Sequence, residues 1–136
     1  MTDWPFAAPK GVEIVNAASH DALMREAAVV VTHAGHGTTL RALRAGAPIV
    51  AMPMGRDQNE NAARVEYHGA GLRLGPDAAV EDIAGAITRV VREPSFATRA
   101  RALADAIAGE GDGAERFADE IETLAEVQSP PTPIGV

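Results

Sequence analysis

Residues 29–53, VVVTHAGHGTTLRALRAGAPIVAMP, set two continuous apolar runs around a short polar stretch. The runs are VVVTH (29–33) and PIVAMP (48–53), and each reads as a strand buried on both faces. Between them lie Gly35 and Gly37, then a helical stretch from Thr38 to Ala45. Gly46 stops that helix and Pro48 follows just beyond, the usual end signals. Strand, helix and strand joined this closely call for a parallel sheet with right-handed crossovers. The pattern then repeats. GRDQNENAARVEYHGAG (55–71) is a loop and a helix ending near Gly69, and LRL (72–74) is a brief further strand.

The rest of the chain fits around this unit. Residues 1–11, with Pro5, Pro9 and Gly11, form an irregular lead-in. VEIV (12–15) is β-branched and is expected to be a strand. SHDALMREA (19–27) is expected to be a short helix with Ser19 as its N-cap. After residue 74 the chain turns helical. Val80, Ile83, Ile87, Val90 and Val91 share one helical face. Pro94 breaks that helix, and Phe96, Ala100, Leu103 and Ile107 mark the next. GEGDG (109–113) is a loop, and Ala114, Phe117, Ile121 and Leu124 mark a last amphipathic helix. The expected division is therefore a domain over 12–126 and a flexible tail over 127–136. A length of 136 residues suits one domain. Only 4% of residues are aromatic, so the core must be built from Ala, Val, Leu and Ile.

Charge and composition exclude several classes. A net charge of −7 argues against nucleic acid or an anionic membrane as partner. No apolar run approaches the roughly 20 residues that span a bilayer. Residues 1–9 lack the basic start and apolar core of a signal peptide. With no cysteine there is no disulfide, thiolate zinc site or cysteine nucleophile, which fits a cytoplasmic protein. His33 and His36 are spaced like a metal pair, but no third ligand lies near them in sequence, so no metal or other cofactor is expected. His36 is expected at the mouth of the glycine loop, and His20 and His68 on helix surfaces. Nothing in the sequence defines a catalytic triad.

What remains is the glycine junction. A strand ending in small residues and opening a helix leaves free N–H groups that attract an anion. Gly35 and Gly37 clear side chains from the backbone, Thr38 and Thr39 can cap the helix and offer hydroxyls, and His33 can donate to a phosphate oxygen. G-x-G by itself is equally a plain tight turn. Asp57 and Gln58, after the next strand, suit sugar hydroxyls, although Asp57 could equally cap the following helix.

The two segments together are far more specific. HAGHGTTLRALRAGAPIVAMPMGRDQNENAARVEYHGAGLRL (33–74) resembles the donor-binding segment of GT-B fold glycosyltransferases. Within the UDP-glycosyltransferase superfamily it is similar to the bacterial macrolide and antibiotic glycosyltransferases. The resemblance covers residues 12–126 and implies a partial Rossmann-like domain with a helical carboxyl-terminal part. It implies that His33 contacts the donor diphosphate and that the backbone N–H groups of Gly37, Thr38 and Thr39, cleared by Gly35, hold phosphate oxygens. Asp57 and Gln58 would bind hydroxyls of the donor sugar. The turn before DALMREA would support the base. There the family carries an aromatic residue and Pro-Gln, where this chain has Ala17, Ser19 and His20. Arg41 stands where many members have a ribose-binding Glu and cannot accept a hydrogen bond. Both a UDP-sugar and a dTDP-deoxysugar remain open as donor.

The resemblance implies the donor-binding portion of an inverting glycosyltransferase with a small-molecule acceptor. Acceptor site and catalytic base belong to an amino-terminal domain or subunit that these residues do not supply. The alternative is a truncated or split, non-catalytic nucleotide-binding module acting with a partner subunit. In the family's strand order 3-2-1-4-5-6, VEIV corresponds to strand 3 and VVVTH, PIVAMP and LRL to strands 4, 5 and 6. VVVTH would then present an open edge. It is expected to be closed by a homodimer or segment exchange, unless VEIV moves in to pair with it.

Overall fold

The computed structural model describes residues 8–111 and 113–128. Its elements run in the order α1 (His20–Glu26), β1 (Val30–Thr32), α2 (His36–Arg44), β2 (Ile49–Ala51), α3 (Gln58–Tyr67), β3 (Gly71–Arg73), α4 (Val80–Arg92), α5 (Pro94–Gly109) and α6 (Gly113–Gln128). The strands form one parallel sheet in the order β1-β2-β3, with Val30 opposite Ile49 and Ile49 opposite Gly71. Most of the lead-in (1–7) and of the expected tail (129–136) lies outside the described residues.

β2 is the centre of the core. Strand side chains alternate between faces, and both faces of β2 are covered, so Ile49, Val50 and Ala51 are all fully buried. Ile49 and Ala51 pack with Met24, Ala34, Ala42, Ala62 and Val65, beneath α1, α2 and α3. Val50 packs with Ala86, Val90 and Phe96, beneath α4 and the start of α5. The core is built from small aliphatic side chains, as a chain poor in aromatics requires.

Two helices return to the sheet by the same device. Gly46 (φ +70) donates to the Leu43 carbonyl while Ala47 donates to that of Ala42, both at 3.0 Å. Gly69 (φ +68) donates to Glu66 at 2.9 Å while Ala70 donates to Val65 at 3.0 Å. Each pair is a Schellman motif, in which a left-handed residue after the helix satisfies the last carbonyls. Both glycines expected to stop these helices do so. At the other end of α1, the Ser19 hydroxyl accepts the Ala22 N–H at 3.3 Å, as the N-cap reading requires.

The sheet corrects the reading at its edge. Residues 12–15 form no strand and are exposed. A strand exists only through hydrogen bonds to a neighbouring strand; among the described residues VEIV pairs with none, so it does not close the edge of β1 opposite β2. Nor is β1 buried on both faces. Val30 faces the covered side and Val29 packs against the cluster beneath α4, but Val31 is 46% exposed, because α4 lies mainly over β2 and β3. The last helix, α6, has its apolar residues as spaced in sequence, yet Phe117, Ile121 and Leu124 are exposed on it. Among the described residues no helix is long and apolar enough to cross a membrane.

Candidate functional site

The carboxyl ends of β1 and β2 release the two loops that carry the candidate residues, as expected for ligand sites on open parallel sheets. After β1 the chain makes one tight step. Ala34 is fully buried and left-handed (φ +64), a conformation that costs a residue with a Cβ about 1–2 kcal/mol. Its amide donates to the Thr32 hydroxyl at 3.4 Å. This step turns the chain directly into α2, which begins at His36, two residues before the expected Thr38.

That shift changes the roles of the threonines. Gly35 occupies the N-cap, and no side chain caps the helix. Thr39 N–H donates to the Gly35 carbonyl at 3.0 Å, so it is committed to the helix. Thr39 is also buried, with a hydroxyl that has no partner among the described residues. The first four N–H groups of a helix have no acceptor within it, and here these belong to Gly35, His36, Gly37 and Thr38. His36 stands at the first position of the helix and is exposed, at the mouth of the loop.

Gly35 makes room for His33, which the sequence did not disclose. A Cβ placed on it would lie 2.7 Å from His33 Nε2. The exposed imidazole of His33 therefore lies across Gly35, against the start of α2. Around Gly37 a Cβ would meet nothing within 4 Å, so the chain leaves open space beside that residue.

The second loop, after β2, carries Gly55 and then Arg56, the other non-glycine residue of positive φ (+55) among those described. Strained residues thus directly precede both Gly35 and Asp57, and such strain collects at functional sites. Asp57 sits at the N-cap of α3 but makes no capping bond. Its Oδ2 instead accepts from Asn61 Nδ2 at 3.0 Å. Gln58 turns its Oε1 back to accept the Met54 N–H at 2.8 Å, which leaves its amide NH2 as the available group.

Asn61 is the residue missed in the sequence. Its Nδ2 also donates to the Ala34 carbonyl at 3.1 Å. It therefore joins the glycine loop to Asp57. The spacing of Asp57 and Asn61, four apart at a helix start, is the one signal that could have found it.

The turn before α1 and the middle of α2 also meet. Ala18, Ser19, His20, Asp21 and Arg41 line one hollow of about 290 Å³. The residues expected near a base and a ribose are thus brought together, with Arg41 as their only fixed cation.

Comparison with known proteins identifies the family of the chain. The family model of the erythromycin biosynthesis protein CIII-like C-terminal domain matches residues 6–124. An O-mycaminosyltylonolide 6-deoxyallosyltransferase from Streptomyces fradiae is 38% identical over 117 residues, 85% of this chain and 28% of that protein. The solved glycosyltransferase of kitacinnamycin is similar with a TM-score of 0.77 and 31% identity, over 85% of this chain and 30% of that one. The spinosyn rhamnosyltransferase SpnG complexed with thymidine diphosphate is similar with a TM-score of 0.72 and 28% identity, over 76% of this chain and 29% of that one. The chain thus spans less than a third of the length of these relatives.

Proposed function

The chain belongs to the erythromycin biosynthesis protein CIII-like C-terminal domain family, and from that premise we propose that it holds the nucleotide diphosphate-sugar donor of an inverting glycosyltransferase with a small-molecule acceptor. The observation that carries this reading is the start of α2. Four backbone N–H groups without a helical acceptor open the helix there, the His33 imidazole lies across Gly35, and space is open beside Gly37. That arrangement suits a diphosphate. Gly37 and Thr38 offer backbone donors, and Thr39 supports them from within the helix. Asp57 Oδ1 and the Gln58 amide suit an acceptor–donor pair for sugar hydroxyls. Thymidine diphosphate in the similar SpnG favours dTDP over UDP, and Arg41 in place of an acceptor fits a donor held less by its ribose.

In the reaction, an acceptor hydroxyl loses its proton to a base outside this chain. Its oxygen forms a bond to the anomeric carbon as the bond from that carbon to the diphosphate oxygen breaks. The electron pair leaves on the diphosphate. Preorganised donors at α2 and His33 stabilise that developing charge, which is where such catalysis gains most.

Calorimetric titration of the purified chain with dTDP, UDP and thymidine tests the reading. Diphosphates should bind and thymidine should bind far more weakly. The same chain given donor and acceptor should transfer no sugar above background, since the base lies elsewhere. Equal affinity for dTDP and thymidine would overturn the donor reading, and robust transfer by the chain alone would overturn the division of labour.

The second reading, a non-catalytic module acting with a partner subunit, is favoured by the edge of β1, unpaired among the described residues, and by the exposed apolar residues of α6. Both ask for cover by another chain segment, since an unpaired strand edge templates association. Light scattering across a dilution series should show a mass that doubles with concentration. A monomer at every concentration would remove the homodimer.

A further inference from the structure

We propose that Asn61 is a positioning residue that locks the phosphate-facing loop and the sugar-facing Asp57 into one register. The proposal rests on the donor-binding reading above and names how its two halves are coupled. A side-chain amide has two N–H donors on one nitrogen. Here one partner is the Ala34 carbonyl at 3.1 Å and the other is Asp57 Oδ2 at 3.0 Å. Both partners are acceptors, so the amide has only one workable orientation; reversed, its oxygen would face two oxygens.

Each bond has a directional consequence. A trans peptide points its C=O and N–H in opposite directions. Holding the Ala34 carbonyl toward α3 therefore turns the Gly35 N–H away from α3, into the group of free donors at the start of α2. The same bond holds Ala34 in its left-handed conformation, which an unrestrained alanine would leave. On the other side, engaging Oδ2 of Asp57 leaves Oδ1 as the oxygen presented to a ligand. The donor's diphosphate and sugar are covalently joined, so the spacing between their two subsites must be held constant. Asn61 spans them directly with its side chain, and it grows from α3, which packs on the core through Ala62 and Val65.

Two measurements test this. The first needs no ligand. In nuclear magnetic resonance spectra of the labelled chain, both Asn61 side-chain amide protons should lie downfield of free asparagine. Asp57→Ala should return one of them upfield and leave the other. Unchanged shifts in Asp57→Ala would overturn the proposal, whether or not the chain binds nucleotide.

The second is calorimetry with dTDP and dTDP-glucose. Asn61→Ala should weaken dTDP by about fivefold, the scale of one hydrogen bond, and should shrink the gain that glucose adds. Asn61→Asp keeps the side-chain shape but replaces donors with acceptors, so its loss should equal or exceed that of Asn61→Ala. A packing role would leave Asn61→Asp like wild type, and that result would overturn the proposal. Failure of wild type itself to bind dTDP would instead strike the donor reading, with the spectra still deciding Asn61.

Discussion

Gly71→Ala is expected to abolish the cooperative thermal transition of the chain. Gly71 opens β3 and stands opposite Ile49 of β2. A Cβ there would collide with the Ile49 carbonyl oxygen, and would lie 2.8 Å from the Ile49 carbonyl carbon and 2.9 Å from Val65 Cγ1. Neither neighbour can yield. The Ile49 group is backbone of the central strand, and Val65 is fully packed on α3. Relief would require β3 to part from β2, breaking Ile49 N–H to the Ala70 carbonyl and Leu74 N–H to the Ala51 carbonyl. Ordinary overpacking costs about 1–3 kcal/mol. A clash with strand backbone should exceed about 4 kcal/mol, a large share of the roughly 5–15 kcal/mol that keeps a domain folded. Circular dichroism during heating measures it. Gly85→Ala is the control: it lies inside α4, where a Cβ meets nothing within 4 Å. It should raise stability by roughly 0.5–1 kcal/mol, the helical difference between the two residues. A melting temperature for Gly71→Ala near that of wild type would refute the close approach.

His33→Ala is expected to weaken dTDP by roughly 10- to 100-fold, the range for hydrogen bonds to a charged group, while thymidine binding stays unchanged. His33 is exposed and contributes nothing to either core cluster, so its removal leaves the fold intact. What it removes is the donor lying across Gly35. Gly35→Ala should act in the same direction, because the added methyl would come within 2.7 Å of Nε2 and drive the imidazole away. Calorimetry with both ligands separates the cases. Equal losses for dTDP and thymidine would take His33 out of its phosphate role.

The parallel α/β sheet, the Ser19 cap and the stops at Gly46 and Gly69 are all legible in the order of residues. The long segment 33–74 is enough to identify the family. These features are local: a cap or a Schellman glycine is satisfied by groups a few residues away, and an apolar run declares its burial by its own composition. The candidate donor residues are legible only through the length of that segment, since G-x-G or Asp57 alone would equally be a turn and a cap.

The rest depends on partners far apart in sequence. VEIV has the composition of a strand and is none, because strand hydrogen bonds must come from another segment and no neighbouring strand among the described residues meets it. Val31 carries the same side chain as Val30 and is exposed, because only the placement of α4 decides which face of β1 is covered. The start of α2 falls at His36 because burial of Ala34 turns the chain sooner than any cap could signal. Asn61 finds Ala34 across 27 residues, a contact that exists only once α3 has packed beside α2. Local hydrogen bonds are written in the order of residues, whereas sheet edges, buried faces and the bond between the two loops arise only when distant segments meet.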